Sequence, residues 1–330
     1  MSGRAILVTG GAGYIGSHAC AALADSGYTP VTYDDLSTGH RWAVQFGPFE
    51  PGDITDAARL RSVMQQYDFA GVMHFAARAS VAESVADPEL YHRINVGGTQ
   101  TLLDAMVECG LKHIVFSSSC AVYGIPPRVP ITEDTPHAPV SPYGETKHLG
   151  ELLMQHYSAE HGMRAAMLRY FNAAGADPAG RIGEDHSPET HLIPLVLQTA
   201  LGLRPHISIF GQDYPTDDGT AVRDYIHVQD LAQYHVMALE RLFAGGETFA
   251  VNLGTGTGYS VAQIVAEAAR ITGRPIATQH APRRAGDPPA LVSDVTFSDM
   301  LFHYRPERSD LPTLLSDAWH WHQKQHGGDA

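Results

Sequence analysis

Short apolar runs rich in β-forming residues alternate with stretches whose apolar positions recur at helical spacing. Residues 5–8 read as a buried strand, and residues 17–23, rich in alanine and leucine, as the following helix. A second strand covers residues 29–33 and ends on Asp34, 36–47 reads as a loop, and 49–53 as a third short strand. Residues 71–77 form a fourth strand with small residues at its carboxyl end. A helix over 88–109 carries Val96, Thr99, Leu102, Leu103 and Met106 on one face, with Asn95 among them. Residues 113–116 are a fifth strand ending in Ser117-Ser118-Ser119. Strands and helices alternating in this way predict an α/β fold around a doubly wound parallel sheet.

Beyond about residue 170 the alternation loosens and proline becomes denser. Residues 1–170 are therefore expected to form the sheet domain, and 171–330 mainly a smaller C-terminal α/β domain that binds substrate. Within 224–253, a helix over 224–243 and the strand Phe249–Leu253 read as segments returning to the first domain. The polar tail from Gln323 is expected to fray.

The 330 residues carry a formal net charge of −14, which argues against nucleic acid and anionic membrane as partners. Three cysteines without CxxC spacing indicate neither a disulfide framework nor a zinc site. The 19 histidines are scattered without HExxH spacing, so no metal is expected. Without a leader-like start or an apolar run of membrane-spanning length, the expected location is cytoplasmic.

The junction of the first strand and helix carries the first chemistry. Gly10, Gly13 and Gly16 follow the strand at the spacing of a dinucleotide-binding turn: one for the tight turn, one for approach of a pyrophosphate, one for helix–strand packing. The helix start, with Tyr14 and Ile15, offers N–H groups and a positive dipole end to the phosphates. Asp34 stands at the distance suited to adenine-ribose hydroxyls and would repel a 2′-phosphate, which favours NAD over NADP. The sheet domain is thus expected to be of Rossmann type. Asp53, followed by Ile54, reads as an adenine contact or as the cap of a helix starting near Thr55. Phe75, Ala76 and Ala77 are placed to line the cofactor crevice. Asn95 reads as a satisfied buried amide or as a polar group behind the cofactor.

Ser141-Pro142-Tyr143-Gly144-Glu145-Thr146-Lys147 carries the second. Ser141 suits an N-cap and Pro142 the first helical position, so Tyr143 and Lys147 fall on one helical face. A lysine ammonium and a positive nicotinamide ring together would lower the phenol's pKa toward neutrality. The resulting phenolate can take a proton from a substrate alcohol, and Ser119 can hydrogen-bond the same oxygen.

With these two motifs, the chain resembles the extended short-chain dehydrogenases/reductases and is similar in particular to the UDP-glucose 4-epimerase family. The resemblance rests on TGGAGYIGSH (9–18), FSSSCAVYG (116–124), SPYGETK (141–147), RYFNAAGA (169–176), DGTAVRDYIHV (218–228), NLGTGTGYSV (252–261) and APRRAGD (281–287). It implies that Tyr143 removes the 4-hydroxyl proton of a UDP-hexose as C4 passes hydride to NAD⁺. The 4-keto sugar then turns over, and hydride and proton return with inverted configuration. It also implies that Lys147 and Tyr170 contact the cofactor, and that Ser119 and Tyr143 contact the sugar. Asn172, His191, Leu192, Arg223, Arg284 and Asp287 would hold the UDP-sugar, with Leu291 at the family's gate position. Two arginines are what an acidic chain needs to hold a diphosphate.

Related dehydratases carry an Asp-Glu pair after the strand-end Ser/Thr; here the pair is Cys120-Ala121, which supplies no acid or base for eliminating water. The expected substrate pair is UDP-glucose and UDP-galactose. UDP-xylose/UDP-arabinose epimerisation, a net oxidoreductase and a non-catalytic NAD-binding scaffold remain as alternatives. In the family, the helices around 95–106 and 147–157 pair across a two-fold axis, which implies a homodimer.

Overall fold

Continuous burial along short strands decides the architecture. The structure is a computed structural model that describes residues 4–284 and 286–326. Strands β1 (Ala5–Thr9), β2 (Thr29–Asp34), β3 (Phe49–Pro51), β4 (Phe69–His74), β5 (His113–Ser119) and β6 (Arg164–Tyr170) pair in parallel. With Phe249–Leu253 beside β6 they make a seven-stranded sheet in which β3, β2, β1, β4, β5 and β6 follow one another. That order reverses direction between β1 and β4, the switch point at which doubly wound sheets bind ligands. In β5 every residue after His113 is buried, as a sheet covered on both faces requires. Leu60, Leu102, Leu103, Met106, Met154 and Tyr157 from the helices pack with Leu7, Val31, Val72 and Ile114 of the strands. Each such side chain contributes about 1.5–3 kcal/mol by leaving water.

Several element boundaries differ from the pattern-based expectation. The first helix is Tyr14–Asp25, and β4 ends at His74, which leaves Phe75, Ala76 and Ala77 in the loop beyond it. The expected 88–109 helix is broken by a π-helical stretch at His92–Gly97, between helical Pro88–Tyr91 and Gly98–Glu108. Asp224 is not helical. It lies in the strand Val222–His227, and the helix is Val228–Phe243; the β-branched and aromatic residues before Val228 outweigh the periodicity that follows. The last helix, Leu311–His326, carries Gln323 within it. Trp319, Trp321 and His322 are buried on that helix, which runs to His326; the remainder of the polar tail lies outside the described residues.

Contacts divide the chain into two units. The first comprises residues up to Gly124, Pro136–Tyr170 and Ala232–Val251; the second comprises Ile125–Thr135, Phe171–Leu231 and residues from Asn252. The expected division at 170 thus misses the 125–135 excursion, and the return segment begins at Ala232. The second unit has a small sheet in which Val222–His227 pairs with Gly258–Ser260, Ala290–Leu291 and Asn172–Ala174. A second core joins Val196 and Leu197, Ile264 and Ala268, and Leu314 and Leu315 from three helices.

Candidate active site

The turn after β1 is shaped by two glycines. Gly10 has φ +74° and passes so close to the β4 end that a Cβ there would lie 2.5 Å from the Ala76 nitrogen. A Cβ at Gly16 would lie 2.2 Å from the Gly10 carbonyl oxygen. Gly13 caps the Tyr14–Asp25 helix without contributing a side chain, so the helix's positive end is answered by no capping group there. Asp34 is buried at the end of β2, accepting from Ala12 N at 3.0 Å and Leu36 N at 2.8 Å. Burial pushes its carboxyl pKa up, and those two N–H groups pull it back. A side-chain-free helix end beside an anchored carboxylate fits a dinucleotide.

Other residues assigned to the cofactor stand as follows. Phe75 N and Ala76 N both donate to Thr9 O, at 2.8 and 3.0 Å, which ties the β4 exit to the β1 exit. Asp53 does not cap a helix: its carboxylate accepts from Thr55 N at 2.8 Å, while Asp56 caps Ala57–Gln66. Its carbonyl accepts from Tyr33 Oη at 2.8 Å, and Ile54 is buried beside it. Asn95 is the satisfied amide. It accepts from Arg78 N at 2.8 Å and donates to Arg78 O and Thr146 Oγ1, both at 3.0 Å, so both amide protons are spent inside the protein. It therefore braces the loop after Ala77 instead of offering its NH₂ group to a ligand.

Ser141 Oγ accepts from Gly144 N at 3.2 Å and Pro142 takes the first turn, which starts the Pro142–His161 helix at the expected place. Tyr143, Lys147 and Glu151 succeed one another at i, i+4 and i+8 along it. The Tyr143 phenol hydrogen-bonds to the Ser119 side chain. Lys147 Nζ donates to Ser117 O at 2.8 Å and sits 5.9 Å from the Tyr143 ring centre and 5.3 Å from that of Phe116. The Tyr170 hydroxyl bonds to Ser117 Oγ. The site is thus gathered on the carboxyl end of β5.

Among the protein's own groups, burial dominates the electrostatics of this pair. Burial pushes the Tyr143 phenol up to about 12 against the lowering effect of Ser119, and pushes the Lys147 ammonium down to about 8. Protein groups alone do not bring the phenol to neutrality; a further positive charge is required. Protein stripped of cofactor is expected to show no tyrosinate difference absorbance between wild type and Tyr143→Phe below about pH 10, the ordinary phenol value. A Tyr143-dependent tyrosinate signal near pH 7 in stripped protein would refute this.

Sequence reading missed the layer beneath. Glu151 and Arg169 form a buried ion pair, with Arg169 Nε to Glu151 Oε1 at 2.8 Å and Nη2 to Oε2 at 2.7 Å. Ser118 Oγ donates to Glu151 Oε1 at 2.5 Å, and Arg169 Nη1 donates to Tyr123 Oη at 2.9 Å. The i+8 position of Glu151 on the Tyr143 face was the available signal. His74, between Thr9 Oγ1 at 2.7 Å and Thr99 Oγ1 at 2.9 Å, is held neutral by burial, its pKa pushed down to about 3.

In the second unit, Leu291 pairs with Arg223 and Asn172 with Tyr225, which puts Asn172, Arg223 and Leu291 on one small sheet. Arg223 Nη2 ion-pairs with Asp287 and donates to Pro288 O at 3.0 Å, so Asp287 first serves to orient Arg223. The exposed Arg284 lays its guanidinium over the Phe210 ring at 4.1 Å. His191 and Leu192 lie apart from that sheet, at the start of the Leu192–Ala200 helix. His191 Nδ1 stands 2.8 Å from Glu184 and 3.1 Å from Glu189, whose carboxylates outweigh burial and pull its pKa up to about 10.

Comparison with known proteins bears on this arrangement. The model of the NAD dependent epimerase/dehydratase family matches residues 6–254. The UDP-glucose 4-epimerase of Rhizobium leguminosarum bv. trifolii is 48% identical over 324 residues, 98% of this chain and 99% of the relative. The UDP-glucose 4-epimerase of Brucella ovis, solved in complex with NAD, superposes with a TM-score of 0.94 at 50% identity, covering 96% of this chain and 98% of that one. The UDP-glucose-4-epimerase of Stenotrophomonas maltophila, solved with bound NAD and formylated UDP-arabinopyranose, gives a TM-score of 0.94 at 38% identity, with 98% of each chain covered.

Proposed function

The chain belongs to the NAD dependent epimerase/dehydratase family, and from that membership and its own site we propose how it inverts C4 of a UDP-hexose. It is an isomerase of the UDP-glucose 4-epimerase type, and NAD is its cofactor. The observation that carries the residue assignment is the Tyr143 phenol, hydrogen-bonded to Ser119 and on the same helix face as a buried Lys147. Bound NAD supplies reversible oxidation at C4 and, being restored in each turnover, is not consumed.

The chain's residues do the rest. Ser119 Oγ and Tyr143 Oη share the substrate's 4-oxygen, and Tyr143 takes its proton as the carbonyl forms. Lys147, fixed by Ser117 O, brings a positive charge to the phenolate's side of the site. After the 4-keto sugar presents its other face, Tyr143 returns the proton. Cys120 and Ala121, in the turn after Ser119, carry no carboxyl group to drive loss of water. Arg223, oriented by Asp287, and Arg284 are assigned to the diphosphate, with Asn172, His191 and Leu192 to the nucleotide and Leu291 to the sugar end.

Incubation with UDP-galactose without added NAD tests this. UDP-glucose is expected, with no steady release of NADH; steady NADH release would make the chain a net oxidoreductase. Conversion of UDP-xylose alone would move the assignment to a pentose epimerase, as would-be kin of that activity share C4 chemistry.

The same proposal includes a homodimer, a cytoplasmic location and a role in galactose metabolism. Leu152, 45% exposed on the Pro142–His161 helix, supports the dimer as an apolar group on a helix the family uses for pairing. A one-chain mass by sedimentation at micromolar concentration would refute it. The thiols of Cys20, Cys109 and Cys120 are unbridged, in keeping with a reducing compartment. Among the described residues, no helix is long and apolar enough to cross a membrane.

A further inference from the structure

We propose that Glu184, His186, Glu189 and His191 form a binding site for a divalent transition-metal ion of the zinc class. The site lies within the second unit and is separate from every residue used above except His191. Each of the four offers one ligand atom, and these atoms all lie within 4.8 Å of one another.

Geometry favours a single ion over a chance cluster. Ligand bonds of about 2.0–2.2 Å in a tetrahedral zinc site put neighbouring ligand atoms about 3.3 Å apart. The histidine–carboxylate separations here fall on both sides of that value. His186 Nδ1 stands 3.3 Å from Glu184 Oε1 and 3.6 Å from Glu189 Oε2, and His191 Nδ1 stands 2.8 Å from Glu184 Oε1 and 3.1 Å from Glu189 Oε1, so Glu189 faces the two imidazoles with its two oxygens. Two imidazoles and two carboxylates are a ligand set that suits zinc, and one dication neutralises both carboxylates.

The surroundings support the same ligand. Glu184 is buried, and its backbone is held from behind by Trp321 Nε1, which donates to Glu184 O at 2.9 Å. His322, next to Trp321 on the last helix, is 3% exposed, and its Nδ1 has no hydrogen-bond partner among the described residues. His191, by contrast, is 52% exposed, which leaves the ion a path from solvent. The local spacing, Glu-x-His-x-x-Glu-x-His, differs from the helical HExxH pattern because it lies in a loop, where the chain bends to bring four side chains together. A bound ion would fasten that loop to the start of the Leu192–Ala200 helix.

The test uses the full chain, stripped with a chelator and then titrated with Zn²⁺ and, separately, Co²⁺. We expect one zinc per chain, a rise in Tm that grows with zinc concentration, and the visible absorption of four-coordinate Co²⁺. His186→Gln and Glu189→Gln, each checked for folding by circular dichroism, are expected to weaken Zn²⁺ binding at least about 100-fold and to abolish the Co²⁺ band. Equal zinc affinity in wild type and either folded variant overturns the proposal, because the ion would then be held by other histidines. So does wild-type protein that binds no zinc or gives only the weak spectrum of six-coordinate Co²⁺. Should one variant fail to fold, the other and the wild-type Co²⁺ spectrum still decide.

Discussion

Replacing Tyr143 with phenylalanine is expected to lower UDP-galactose turnover by about 10³–10⁴-fold while leaving NAD bound, the upper range of what a positioned acid/base supplies. The substitution removes one oxygen and keeps the ring against Lys147, so packing changes little. The phenol is unusual in two opposed ways. It is held by Ser119 where an alcohol oxygen can meet it, yet burial pushes its pKa up to about 12. The proton-accepting form is therefore scarce until a bound cation shifts the balance, which couples the base's readiness to cofactor occupancy. Turnover by Tyr143→Phe and wild type at matched NAD content checks the prediction. A loss under tenfold would show that another group moves the proton.

The features read in advance were those whose cause is local. Gly16 is dictated by a clash with the Gly10 carbonyl in its own turn, and Ser141 with Pro142 by the unpaired N–H groups of one helix turn. Asp34 was placed by its distance along the chain from the glycine turn. What escaped needed partners far apart in sequence. Asn95 reads as a satisfied amide from the sequence, but its partners, Arg78 and Thr146, are brought to it only by the fold. The Tyr143 pKa depends on how completely the helix is covered, which no four-residue spacing reveals. Asp224 reads as a helix start because the residues after it have helical periodicity. The side chain is instead drawn into the small sheet, where Thr255 N and Ser293 N donate to it at 2.9 and 3.1 Å. Short β-strands next to strongly periodic helices are where pattern reading yields to tertiary pairing.

Glu151→Ala is expected to cost about 3–5 kcal/mol, because it leaves the Arg169 guanidinium buried without its counter-charge. Side-chain exposures of 5% and 1% for Arg169 and Glu151 leave water little chance to substitute. Set against a total stability of about 5–15 kcal/mol, the loss is a large fraction, and Tm should fall steeply. The pair's effect on the reaction is one of position. Ser118 donates to Glu151 from the residue next to Ser119, and Glu151 stands one turn beyond Lys147 on the Tyr143 face. The carboxylate thus ties the end of β5 to the helix that carries the acid/base. Removing both charges separates stability from position. The double variant Glu151→Leu/Arg169→Met is expected to recover most of the lost Tm, since no charge is then stranded. It is not expected to recover turnover, because the Ser118 anchor is still gone. Thermal unfolding of the two proteins beside UDP-galactose turnover reads both quantities. If the double variant is no more stable than Glu151→Ala, the stranded charge is not the cause. If it regains full turnover, the pair does not position the site.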